Sequence, residues 1–183
     1  MISPKENTLL IADPFLQDVH FQRAVILLCS HDKEGSFGFA LNKKFNYGLN
    51  QLIPELDHQF IPLFSGGPVG TDTIHFIHQY PESIPDAHQL SNDVFWGGDF
   101  EAVKLLLIHN RIDLKKIKFF MGYSGWGAGQ LASEIKENTW LTTLSNKQLL
   151  FNTDPESVWS ESIKQMGPNY TEIIYYPINP QLN

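Results

Sequence analysis

Cysteine and arginine are nearly missing from this 183-residue chain, and their scarcity closes off several chemistries. With Cys29 as the one cysteine, no disulfide can form within the chain and no thiolate set can hold zinc. Arginine occurs only at Arg23 and Arg111, and the formal net charge is −7. A nucleic-acid face needs lysine and arginine gathered on one side, so direct nucleic-acid binding is disfavoured. The densest basic run, Lys115, Lys116 and Lys118, reads as a solvated lead-in to a strand. No apolar run approaches the roughly 18 residues that mark a membrane span. The polar start at 1–7 is unlike a secretory signal. A cytoplasmic protein with no membrane attachment is expected. Metal ligands are also wanting. His75 and His78 are three apart on an expected strand, so their side chains leave opposite faces. No His-Glu-x-x-His pattern occurs, and no metal site is expected.

What the chain does have is apolar and aromatic matter: 42% hydrophobic residues and 13% aromatic. That composition and length predict one globular domain spanning 1–183 with a substantial core. Cys29 lies in an apolar run and reads as a small buried hydrophobe.

Residues 8–12 and 24–30 read as apolar strands, the first stopped by Asp13-Pro14. The polar turn 31–35 and the return at 36–42 predict a hairpin. Helical spacing at 48–56 is limited by Pro54. Strands are expected at 61–64 and 73–80, a loop at 81–93, then Val94, Phe95 and Trp96 before two glycines. Asp99 is placed to cap a helix reaching about His109, and Asp154 to cap a third helix that carries Val158, Trp159, Ile163 and Met166 and ends at Gly167. A closing strand is expected at 172–176. Strands and helices interleave irregularly, which predicts an α+β fold.

The densest local signal is a cluster of Gly122, Gly125, Gly127 and Gly129. It follows the apolar run 117–121 and precedes the helix-like run 130–137, so the spacing predicts a strand, a glycine turn and a helix. Each familiar chemistry of such a turn is missed. A dinucleotide fingerprint fits Gly125 and Gly127 but finds Gln130 at its sixth position. No lysine lies between Lys118 and Lys136, which excludes a P-loop. A nucleophile elbow fits Gly122 and Ser124, yet Trp126 stands where a small residue is needed.

These segments together resemble the YqgE/AlgH family of uncharacterised bacterial proteins. The likeness runs through Leu9-Leu10-Ile11-Ala12-Asp13-Pro14, Phe21, Gly38 to Asn42, and Ser65-Gly66-Gly67-Pro68-Val69. Its most specific part is Gly122 to Leu131, followed by Asn138-Thr139-Trp140-Leu141 and the stretch from Leu150-Phe151 to Trp159. The resemblance implies an α+β fold in which a bifurcated β-sheet forms a pseudo-barrel flanked by helices. It also implies a cytosolic protein with no established enzymatic activity and no required cofactor; some members are labelled transcriptional regulators. The chain departs from the family pattern at Asp13, at Lys44, and at Ala132, where the family usually has an acid.

The leading expectation is a non-enzymatic binding or regulatory module for a small molecule or protein. Its candidate cleft lies where the two glycine-rich segments meet: Ser65, Gly66, Gly67 and Pro68 on one side, Gly122, Tyr123, Ser124, Gly125, Trp126, Gly127 and Gln130 on the other. Free main-chain N–H groups would face a ligand, with Tyr123 and Trp126 as walls. Asn42 is either a turn former or a polar finger in that cleft. Two alternatives stand beside this. A hydrolase acting through Ser124 or Ser65 needs a histidine beside the hydroxyl, and a DNA-touching regulator would have to use 115–118. Asp13 and Asp99 read as turn and cap residues, and Trp126, Trp140 and Trp159 as core.

Overall fold

The computed structural model describes residues 1–177. Strand β1 (Thr8–Ala12) is buried along its whole length, and so is most of β2 (Val25–His31). Their unbroken apolar runs follow from burial on both faces. Leu9, Ile11, Val25 and Leu27 join one core cluster, whereas Leu10, Ala12, Ile26 and Leu28 join another. β2 turns through an Asx turn, in which Asp32 Oδ1 accepts from the Glu34 and Gly35 amides, into β3 (Gly35–Ala40) as the expected antiparallel hairpin. Cys29 is fully buried in the first cluster.

Downstream lie β4 (Lys44–Gly48), β5 (Pro62–Ser65), β6 (Val69–His78), β7 (His88–Ser91) and β8 (Val94–Trp96). The helical spacing at 48–56 yields only two 3-10 turns, Leu49–Gln51 and Pro54–Leu56. β4 and β7 fall where no strand was expected, because short polar edge strands carry little hydrophobic period. Helix α1 (Phe100–Ile108) starts as expected from Asp99, whose Oδ1 accepts from the Glu101 and Ala102 amides.

The main correction concerns the glycine cluster. β9 (Ile117–Gly127) does not stop at Met121; it continues through Gly122, Gly125 and Gly127 as strand. Helix α2 (Gln130–Lys136) and β10 (Trp140–Leu144) follow, then α3 (Val158–Gln165), which is preceded by a turn built on Asp154. The segment expected as a closing strand is instead a 3-10 helix, Pro168–Tyr175. Pro168 opens it, and Tyr170, Ile173 and Ile174 then pack on the core at helical spacing.

The strand order is β10-β1-β2-β3-β9-β6-β8-β7, with β5 and β4 off that path. The sheet forks at β9. One edge of β9 pairs β6 through 117–123. The other edge pairs β5 in parallel at 119–121 and β3 antiparallel at 124–127. β10 and β7 are the two ends of the path, so the forked sheet stays open. The class is α+β, as expected. α3 packs on one face of the β1–β2 half and α2 contributes Leu131 to the other, while α1 covers the cluster around Phe76, Ile117 and Phe119.

Gly122 decides what the sheet displays. Its φ of +71° is left-handed, a conformation costly for any residue with a Cβ. Strict alternation would put Tyr123 with Phe119 and Met121. After the left-handed step, Tyr123 joins Phe120 in the first cluster instead. That reversal turns Tyr123 toward Phe37, 6.1 Å away between ring centroids.

Candidate functional site

The two glycine segments do lie against each other, and around Gly66 and Gly122 main chain meets main chain directly. The Gly66 amide donates to Met121 O at 2.9 Å, and Gly66 O accepts from Ser124 Oγ and from the Ala40 amide. A Cβ built on Gly66 would stand 2.2 Å from Gly122 O. Absence of side chains here serves strand-to-strand contact at the fork, and the main chain spends its hydrogen bonds on itself.

The remaining candidates scatter. The Ser65 amide donates to Lys43 O, and Pro68 is exposed. Asn42 is a structural tie: its Oδ1 accepts from the Val25 amide and its Nδ2 donates to Arg23 O. Gln130 Oε1 accepts from the Gly127 amide while its Nε2 donates to Glu134, so the start of α2 is closed by its own side chain. Ser124 is fully buried with its proton given to Gly66 O, an arrangement without access for a substrate. Among the described residues, an imidazole meets a serine at His31, whose Nδ1 lies 2.7 Å from Ser36 Oγ across the β2–β3 hairpin.

A pocket opens beside the fork instead, with a volume of about 630 Å3. Of the expected residues it takes Tyr123, Gly125 and Trp126. Its other walls come from Phe37 on β3, Val69 and His75 on β6, and Trp96 on β8, with Asp32 and Glu34 from the hairpin turn. The rings stand edge to face: Phe37 to Trp96 at 5.0 Å and 78°, His75 to Tyr123 at 5.9 Å and 87°. Such packing holds each ring in place and leaves broad apolar faces. Two ring nitrogens of the lining residues, His75 Nε2 and Trp96 Nε1, are buried without a hydrogen-bond partner. Burial holds the His75 imidazole below its ordinary pKa, so it is neutral at pH 7.

Glu134 anchors one wall. Its Oε2 accepts from Trp126 Nε1 at 2.8 Å and from Trp140 Nε1 at 2.7 Å. A carboxylate two residues beyond Ala132, on the inner side of α2, thereby positions the indole of Trp126. Sequence reasoning passed over Phe37, His75 and Trp96 because they lie on three strands that only the sheet order brings together. The lone signal was Trp96 standing before Gly97 and Gly98.

The expectation for Lys118 also changes. Lys115 and Lys116 are exposed, but Lys118 is buried within β9. Solvated lead-in describes the first two only.

Comparison with known proteins places the chain in a family. A family model described as AlgH-like matches residues 9–171. The chain belongs to the AlgH-like family. It is 40% identical over 183 residues to a UPF0301 protein of Bacteroides fragilis, covering all of this chain and 93% of that one. A UPF0301 protein of Cytophaga hutchinsonii is 39% identical over 179 residues, covering 97% and 98%. Among solved structures, the solution structure of the AlgH protein from Pseudomonas aeruginosa aligns with a TM-score of 0.74 at 26% identity, covering 97% of each chain. A crystal structure from Corynebacterium diphtheriae aligns at 0.77 with 20% identity and shares the fold. Among the described residues of this AlgH-like chain, no helix is long and apolar enough to cross a membrane.

Proposed function

We propose that this chain is a single-domain, cytoplasmic binding module that takes a small, flat, largely apolar ligand in the aromatic pocket beside the fork. The carrying observation is the pocket itself: about 630 Å3, within the ordinary range for small-molecule sites, walled by Phe37, Trp96, Tyr123 and Trp126. His75 Nε2 and Trp96 Nε1 support the reading. A buried polar atom left unpaired costs roughly 1–3 kcal/mol, and a polar edge on the ligand would recover part of that. Any regulatory role would then act through occupancy of this pocket. The hydrolase reading is weaker at Ser124, because its buried hydroxyl faces a carbonyl and not an imidazole.

A thermal-shift screen of small metabolites tests the proposal. A compound at about a hundred times its Kd adds roughly 2.7 kcal/mol, or about 5–10 °C in a chain of this size. The wild type is expected to respond, and Tyr123→Ala and His75→Ala to lose most of the shift. Hits that persist undiminished in both variants, or a screen with no compound that discriminates them, would overturn the pocket as the site.

A further inference from the structure

On a different part of the sheet from the aromatic pocket, β9 holds a buried cation without a counter-charge. Lys118 is 7% exposed. Its Nζ donates to Leu41 O at 3.3 Å and lies 4.6 Å from the centroid of Phe64. No carboxylate among the described residues pairs with it. An ammonium has three donors, and one carbonyl leaves two of them to be met. Buried cations are ordinarily paired, since an isolated charge away from water is costly. Burial accordingly pushes the Lys118 amine down to about 8, which still leaves it mostly protonated at neutral pH.

A cavity of about 160 Å3 counts Lys118 and Phe64, the ring beneath the ammonium, among its lining residues. Its walls are mixed, with apolar side chains from Ile61, Pro62, Phe64, Phe119 and Phe151 beside the polar Thr153. Lys44 is a second cation on the lining, and no acidic residue contributes to it. The volume lies below the roughly 300–1,000 Å3 of sites that take drug-sized ligands. That is too small for a nucleotide or a peptide segment. A bare inorganic anion would meet charge on one side and mostly hydrocarbon on the others.

We infer that the Lys118 cavity is a binding site for a short-chain monocarboxylate, its carboxylate on the buried ammonium and its alkyl tail among Phe64, Phe119 and Phe151. The charge supplied by the ligand is the one the protein lacks, and the tail fits the apolar walls. This site is independent of the aromatic pocket, and either can fail without the other.

Propionate titrated against chloride at equal ionic strength, followed by backbone amide NMR, tests it. Saturable shifts are expected at Lys118, Phe119 and Phe151 with propionate and not with chloride. Lys118→Met is expected to weaken binding at least tenfold while keeping a dispersed, folded spectrum. If that variant does not fold, the wild type serves: affinity should fall at least tenfold between pH 7 and pH 10 as the ammonium is lost. Shifts that match those from chloride, binding unchanged in a folded Lys118→Met protein, or affinity that is flat to pH 10 would each refute the site.

Discussion

Removing Glu134 should unfasten two tryptophans at once. Its Oε2 accepts both indole N–H groups, and Trp126 and Trp140 are 6% and 1% exposed. In Glu134→Ala each indole loses its acceptor where little water can replace it. An unsatisfied buried donor costs about 1–3 kcal/mol, so two would reach about 2–6 kcal/mol if fully dry. Glu134 itself is half-buried, and water entering the space it vacates should hold the loss to about 2–4 kcal/mol. The third bond, from Gln130 Nε2, is exposed and adds little. Glu134→Gln retains one carbonyl oxygen able to accept from both rings, at the lower strength of a neutral acceptor. Its loss should be about 1 kcal/mol. Urea unfolding followed by tryptophan emission measures both values, and the alanine variant should also show a native spectrum shifted to longer wavelength. A loss below about 0.5 kcal/mol for alanine, or equal losses for alanine and glutamine, would refute the bridging role.

Two further perturbations follow from the fork and from the buried histidine of β6. Gly122→Ala combines a left-handed φ with a Cβ 2.7 Å from Gly67 O and 2.8 Å from Val69 O. The conformation alone costs roughly 1–3 kcal/mol and the contacts add to it, so a loss of about 3 kcal/mol or more is expected. A stable Gly122→Ala protein in urea would mean that the reversal at this residue is dispensable. His78 is fully buried, with Nδ1 accepting from the Tyr80 amide and Nε2 donating to Gly97 O, the pattern of a neutral ring. Burial lowers its pKa and the Gly97 bond opposes in part. The unfolded chain therefore takes up its proton first, near pH 6.5. Stability should be full above that pH and fall as pH drops below about 6.5. His78→Gln should reduce that slope, and an unchanged slope would locate the effect elsewhere.

The sequence by itself determined the elements whose signals are local. β1 and β2 show as unbroken apolar runs, the hairpin after them turns on Asp32, and α1 starts at Asp99, because burial on both faces and Asx capping each leave a mark within a few residues. The closeness of the two glycine segments was also legible, since side-chain-free runs at strand ends invite close approach. Which function those glycines serve was not. A left-handed residue at Gly122, a strand with three partners at β9 and a lysine held between Leu41 and Phe64 depend on chain distant in sequence. Tertiary packing alone decided that the glycines close the fork, and that rings from Phe37, His75, Trp96 and Tyr123 meet beside it. The physical reason is that main-chain contact consumes the very N–H groups a ligand would need, so the opening forms where large side chains, held apart by their own bulk, cannot close.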